Sequence, residues 1–347
     1  MSEPDIRQED AFDIGAVHEA LRAATPDLPA EPPRVRQLHG GASNRTYALD
    51  YPGRGLVLRR PPPGEHVGTA HDMRREHDLL AALAPAYPKA PAPVLLGDAS
   101  IIGQTFFVME RIDGTILRRD LPEGLELGEE GADRLCRVLL DGLLELHRVP
   151  VQGPLARLGR GAGYVQRQVE GWTRRYRAAK TPDAASFEGV IAWLEAHCPR
   201  QVAEVLVHND YRFDNLVLDA GDPTVVRGVL DWELATIGDP LMELGNSLAY
   251  WVQADDDPIM QMIRRQPSHL PGMWTRRRLV DAYFDASGYT ATDFRFYEVM
   301  GLFRLAAIAQ QIYRRYHQGV STNPRFANFI HGVNYFQQRC LGIIGAT

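Results

Sequence analysis

Residues 206–219 read LVHNDYRFDNLVLD, and the fold is decided in this stretch. Its flanks, VLV at 205–207 and LVL at 216–218, have the length and β-branched content of short buried strands. The polar loop between them carries His208, Asp210 and Asn215. A second strand-like run, GVL at 228–230, ends on Asp231 and continues into Trp232 and Glu233. Taken singly, either loop could be an ordinary turn, because Asp and Asn favour turns through local hydrogen bonds. Two such loops in order, each flanked by strands, argue against that bland reading.

Around this insert the chain is mostly helical. DRLCRVLLDGLLELH (133–147), VQRQVEGWTRRYRAA (165–179), FEGVIAWLEAHC (187–198) and FYEVMGLFRLAAIAQQIYRRYHQG (296–319) predict helices. His147 in the first reads as a packed or capping residue, Asp239 as a cap, and Trp232 and Trp251 as core. The N-terminal third is different. After a short helix within residues 1–30, the runs RVRQL, TYALDY, GLVLRR, PKAPAPVLLGD and TFFVMERI predict a sheet of about five strands. The stretch 70–83 is its one inserted helix. The expected architecture is α+β and bilobal, with a small N-terminal β-rich lobe at 1–111 and a larger, mostly helical C-terminal lobe at 112–347.

Composition narrows the classes. With 347 residues, 45% hydrophobic and 24% charged, the chain is an ordinary globular sequence. A net charge of −6 argues against a general nucleic-acid or membrane-surface binder. No apolar run approaches the ~18 residues that span a bilayer. Three scattered cysteines suggest neither a disulfide framework nor a zinc site. A cytoplasmic protein without a membrane partner is expected. Lys89 and Lys180 are the only lysines, so chemistry that usually uses Lys must fall to Arg.

His208, Asp210 and Asn215 match the H-x-D-x-x-x-x-N arrangement of kinase catalytic loops. The Asp reaches an attacking hydroxyl, and the Asn amide oxygen, one tight loop away, reaches a magnesium ion. Asp231 at a strand end is suited to the same ion. Upstream, HGGASN at 39–44 could lay backbone N–H groups on phosphate oxygens, though it is also a plain hairpin sequence. Arg59 ends a strand, and Glu76 follows 17 residues later in the helix, the pattern of an ion pair that orients nucleotide phosphates. Strand alternation puts Arg59 on the face of Val57 and Arg60 on the other, which favours Arg59 over Arg60.

The motifs GGASNRTY, LVLRRPPPG, REHDLL, FFVMERIDG, LVHNDYRFDNLVLD and GVLDWELATIGDP together resemble the aminoglycoside-phosphotransferase-like superfamily, which has a protein-kinase-like fold. LRRPPPG, REHDLL and FRLAAIAQQIYRRYHQG resemble in particular the kinase-like domain fused to some acyl-CoA dehydrogenases. The resemblance implies an ATP- and Mg²⁺-dependent O-phosphotransferase. It implies Asp210 as base, Asn215 and Asp231 as magnesium ligands, and Arg59, in the usual Lys position, paired with Glu76. It also implies nucleotide contacts from Gly41, Ser43, Asn44 and the connector residues Glu110 and Ile112. That branch is associated with hydroxyacyl-CoA acceptors.

The charge pattern points the same way. From position 299 onward there is no Asp or Glu but there are five arginines. Arg304, Tyr313 and Arg314 on the last long helix are therefore candidate contacts to an anionic acceptor; a solvated basic face is the plain alternative. Two other functions stay open: an aminoglycoside- or choline-type kinase, and a nucleotide-binding module without turnover.

Overall fold

The computed structural model describes residues 6–38, 44–62, 72–290 and 292–346. Gly41 and Ser43 lie outside them. Two compact units emerge, 1–115 with 216–234 and 116–215 with 235–347.

The first unit is a five-stranded antiparallel sheet. Its strands are β1 (Arg34–Leu38), β2 (Arg45–Tyr51), β3 (Arg54–Arg60), β4 (Pro93–Gly97) and β5 (Phe106–Glu110), in the order β1-β2-β3-β5-β4. Gly53, at φ +76°, makes the tight β2–β3 turn that only a residue without Cβ adopts freely. The register then sets Thr46 opposite Arg59 and Arg45 opposite Arg60. Helix α1 (Ile14–Ala24) covers one face, burying Val17 and Leu21 with Tyr47, Leu56, Leu58 and Phe106. Helix α2 (Met73–Leu83) starts at Asp72, whose carboxylate accepts from the Arg75 N–H at 2.9 Å. Its buried stripe is Met73, Glu76, Leu79, Leu80 and Leu83, so one carboxylate travels inward with the apolar residues. A single short turn, α3 (Ala99–Ile102), precedes β5.

The second unit holds α4 (Glu129–His147), α5 (Tyr164–Ala179), α6 (Glu188–Ala196), α7 (Pro240–Leu248), α8 (Pro258–Ile263), α9 (Arg276–Ser287), α10 (Arg295–His317) and α11 (Phe329–Gly345). Helix α10 is central and packs on α5, α7 and α11. It meets α7 through glycines: a Cβ on Gly301 would stand 2.3 Å from the Gly245 carbonyl oxygen, and one on Gly245 would stand 2.4 Å from that of Tyr297.

Four short strands complete the chain. β6 (Val205–Val207) pairs with β9 (Thr236–Gly238) in the second unit, and β7 (Leu216–Leu218) pairs with β8 (Val226–Val229) in the first. The β7–β8 hairpin joins the first unit through paired bonds between Thr115 and Leu218 and through Val229 N–H to the Lys89 carbonyl at 2.8 Å. The expected boundary at 111/112 leaves this hairpin in the second segment, while contact grouping sets it with the first unit. The two catalytic-type loops thus connect strands that belong to different units. The α+β class expected from the sequence, one unit rich in sheet and one mostly helical, is the one present.

Candidate active site

In the first unit the site is built on one cation. Arg59 is 7% exposed, so its guanidinium needs carboxylates in place of water. Nη1 donates to Glu76 Oε1 at 2.6 Å, while Nη2 donates to Asp231 Oδ1 at 3.1 Å and to Glu233 Oε2 at 3.2 Å. Asn44 Nδ2 donates to the same Glu233 oxygen at 2.8 Å, and Arg75 Nη1 donates to the Glu233 carbonyl at 2.8 Å. Burial opposes the Arg59 charge, but Glu76, Asp231 and Glu233 outweigh it and raise its pKa. Burial pushes Glu76 up to about 7 against the pull of Arg59, with the Asp231 charge adding to the rise and Arg75 opposing it. Arg60 turns to the opposite face. Its Nη2 donates to the Asp10 carbonyl at 2.6 Å and the Tyr47 hydroxyl at 2.9 Å, and its charge lies 5.2 Å from the Phe12 ring centre.

In the second unit the loop after β6 presents Asp210. Arg212 Nη2 at 3.0 Å and Asn215 Nδ2 at 2.9 Å both donate to Asp210 Oδ2, and Asn215 Nδ2 also donates to the Asp210 carbonyl at 2.8 Å. These bonds fall on Asp210 Oδ2 and on the Asn215 amide nitrogen, not on Asp210 Oδ1 or the Asn215 amide oxygen. Burial opposes the Arg212 charge as well, but Asp210 and Asp214 raise its pKa. Asn209, just before Asp210, is pinned on every side. Its N–H donates to Glu243 Oε1 at 2.6 Å, its side-chain oxygen accepts from Tyr164 at 3.1 Å, and its carbonyl accepts from Arg304 Nη2 at 2.9 Å. Glu243 is held in turn by His147 Nε2 at 2.9 Å, and His147 Nδ1 shares a hydrogen bond with the Tyr283 hydroxyl at 2.8 Å. Among the described residues, Asn209 at φ +65° and Asp231 at φ +68° are the non-glycine residues with left-handed backbone. Such conformations cost energy and persist where surrounding contacts enforce them.

A profile of the phosphotransferase enzyme family matches residues 34–280. The chain belongs to that family. It is 35% identical over 316 residues to acyl-CoA dehydrogenase family member 10 of Mus musculus, covering 89% of this chain and 29% of that protein. To acyl-CoA dehydrogenase family member 11 of Homo sapiens it is 34% identical over 305 residues, covering 85% and 38%. The chain therefore spans about a third of the length of these curated relatives. A Ralstonia eutropha protein assigned to the aminoglycoside phosphotransferases has a crystal structure that superposes with a TM-score of 0.80 at 27% identity, over 96% of this chain and 98% of that one. A thermostable aminoglycoside phosphotransferase mutant in complex with AMP-PNP and hygromycin B superposes at 0.57 with 15% identity, over 96% and 99%, a likeness of fold alone.

Within this phosphotransferase the remaining expected residues fall as follows. The Glu110 side chain pairs with Arg54, and its N–H donates to the Ala92 carbonyl at 2.8 Å. The Ile112 side chain packs on Gly228, where a Cβ would come within 2.4 Å of it. Arg304 is buried, and the Tyr313 hydroxyl donates to Asp183 Oδ2 at 2.6 Å. Arg314 is tied to the Ala178 carbonyl. Glu233, Arg212 and Glu243 go unmarked in the sequence reading, although Glu233 stands only two residues past Asp231 and Arg212 two past Asp210. No three His, Cys, Asp or Glu side chains gather into a metal-holding group among the described residues. Magnesium asks for less, one or two carboxylates or amides with water and phosphate oxygens. Asn215, in the second unit, offers an amide oxygen, and Asp231, in the first, offers a carboxylate whose side chain is 38% exposed; each is a donor of that kind.

Proposed function

We propose that this phosphotransferase is ATP- and Mg²⁺-dependent and phosphorylates a hydroxyl of an anionic, hydroxyacyl-CoA-type metabolite in the cytoplasm. The observation that carries the reading is the Asp210 loop, in which Arg212 and Asn215 fix one carboxylate oxygen and leave the other for the acceptor. Asp210 Oδ1 takes the hydroxyl proton as the acceptor oxygen bonds to the γ-phosphorus and the bond to the β-phosphate oxygen breaks, releasing ADP. Arg59, oriented by Glu76, steers the nucleotide phosphates; its buried Nε has no partner among the described residues and is a donor suited to an anionic oxygen. Asn215 and Asp231 would hold the magnesium, which when bound neutralises phosphate charge. Asn44, with the loop before it, and the connector at Glu110 and Ile112 would flank the nucleotide.

The acceptor class is supported by the names of the relatives and by the arginine-rich C-terminal helices. A panel of hydroxyacyl-CoAs, aminoglycosides and choline, read by ADP release with and without magnesium, tests it. Turnover confined to aminoglycosides or choline would overturn the anionic acceptor. The commitment of both Arg59 terminal nitrogens to carboxylates favours a second reading, a nucleotide-binding module without turnover. Thermal stabilisation by nucleotide with no turnover on any acceptor would select it.

A further inference from the structure

Helix α5 carries an arginine group that lacks the carboxylate partners found elsewhere in its unit. The Arg175 guanidinium carbon lies 4.5 Å from the centre of the Trp172 ring, and that of Arg304, from α10, lies 5.4 Å from the same ring. Arg174 stands beside them on the exposed side of α5. Among the described residues none of these three arginines pairs with an acid, whereas Arg177 pairs with Glu188, Arg212 with Asp210 and Arg276 with Asp256. Burial and the like charges of Arg174 and Arg304 lower the pKa of Arg175, the sign of a cation without a counter-charge. Clustered cations repel, and the arrangement becomes favourable when an anion completes it.

The group also touches the chemistry. Arg304 Nη2 donates to the Asn209 carbonyl at 2.9 Å, one peptide bond from Asp210. Arg304 is 5% exposed and sits between loop and indole, so it joins the cluster to the proposed base within one unit. The indole is half-buried, an aromatic surface on which a flat ring can stack.

We propose that Trp172, Arg174, Arg175 and Arg304 form the acceptor's anion subsite, taking the phosphate groups and ring of a nucleotide-bearing acceptor such as an acyl-CoA. The assignment rests on the reading of Asp210 as base, and it moves the acceptor contact from Tyr313 and Arg314 to α5. Arg304 acts as a positioning residue for the loop as well as a cation of the subsite.

Coenzyme A binding, followed by quenching of Trp172 (identified by loss of the signal in Trp172→Phe), tests it, with pantetheine as the phosphate-free control. Arg174→Glu and Arg175→Glu are exposed changes that leave the core intact. Coenzyme A should bind, pantetheine should not, and either reversal should weaken binding about tenfold or more. Full-strength coenzyme A binding by both variants overturns the subsite and leaves the acyl-CoA reading standing. Quenching by inorganic pyrophosphate that depends on Arg175, with no response to coenzyme A, upholds the subsite and overturns the acyl-CoA reading. No response to either anion overturns both.

Discussion

Arg59→Met removes a cation that Glu76, Asp231 and Glu233 meet at 2.6, 3.1 and 3.2 Å. The Met side chain fills similar space, so the deficit is chiefly electrostatic. Removing one partner of a buried pair costs about 3–5 kcal/mol, because a charge is left uncompensated in the interior. Glu76 dominates that cost, with its side chain 3% exposed against 38% for Asp231. The pH dependence follows from its raised pKa of about 7. A carboxyl whose folded pKa lies above its unfolded one contributes stability that is fully present below the unfolded value and is lost as pH rises through the folded value. At pH 5 Glu76 is protonated with or without Arg59, and the cation matters little to it; at pH 8 it is ionised and needs the guanidinium. The deficit should therefore be about 3–5 kcal/mol at pH 8 and smaller by at least about 1 kcal/mol at pH 5. Native-state hydrogen exchange read by mass spectrometry on peptides of β3 and α2 isolates this unit. Arg60→Met is the control: it loses bonds to Asp10 and Tyr47 with no trend between pH 5 and 8. Burial works to raise Asp10, but Gln37 and Arg45 hold it below the ordinary carboxylate range. An Arg59→Met deficit under about 1 kcal/mol at pH 8, or one equal at both pH values, would refute the reasoning.

Asp210→Asn should lower kcat by about 10²–10⁴-fold while nucleotide affinity, read by calorimetry, holds; an unchanged rate removes Asp210 as base. Asp231→Asn should raise the magnesium concentration needed for half-maximal rate, visible in a magnesium titration of initial velocity. Asn209→Gly tolerates φ +65° but removes the acceptor of the buried Tyr164 hydroxyl and should lose about 1–3 kcal/mol in urea unfolding, whereas Asn209→Val loses the same acceptor, adds backbone strain and should lose more. Gly301→Ala places a Cβ 2.3 Å from the Gly245 carbonyl oxygen and should destabilise the α7–α10 crossing by about 1–3 kcal/mol in the same assay.

Much of this architecture is legible because periodicity is local. β3 reads as a strand from its own residues, and alternation alone separates Arg59 from Arg60, whose guanidinium groups do go to opposite faces. What alternation does not reveal is what covers each face. Arg60 is buried by Asp10 and Phe12, some fifty residues away in sequence, so nothing near it distinguishes it from a solvated arginine. The same limit governs α10. A basic helix reads as a binding surface, yet Arg304, Tyr313 and Arg314 each meet a partner about 90 to 140 residues upstream. The arginines that lack acids, in TRRYR on α5, look in sequence like an ordinary wet helix face. Only packing shows that α5 and α10 bring them to one indole. Glu233 stands two residues past Asp231, but what brings both acids to Arg59 is the left-handed Asp231 and the 3-10 turn at Trp232–Leu234, which alternation does not foretell.

The sheet unit is not a continuous piece of chain: it closes only when the 216–234 hairpin has returned to Thr115 and Lys89. On the ribosome, strands β1 to β5 emerge first and then wait, at about 5–20 residues per second, for several seconds until residue 234 has been made. During that interval the cation at 59 has Glu76 but neither acid of the DWE turn. A nascent chain halted before that turn carries a half-neutralised arginine inside an unfinished unit, a natural handle for chaperones and proteases. Cutting the gene after residue 115 to obtain a free nucleotide lobe would reproduce this incomplete state.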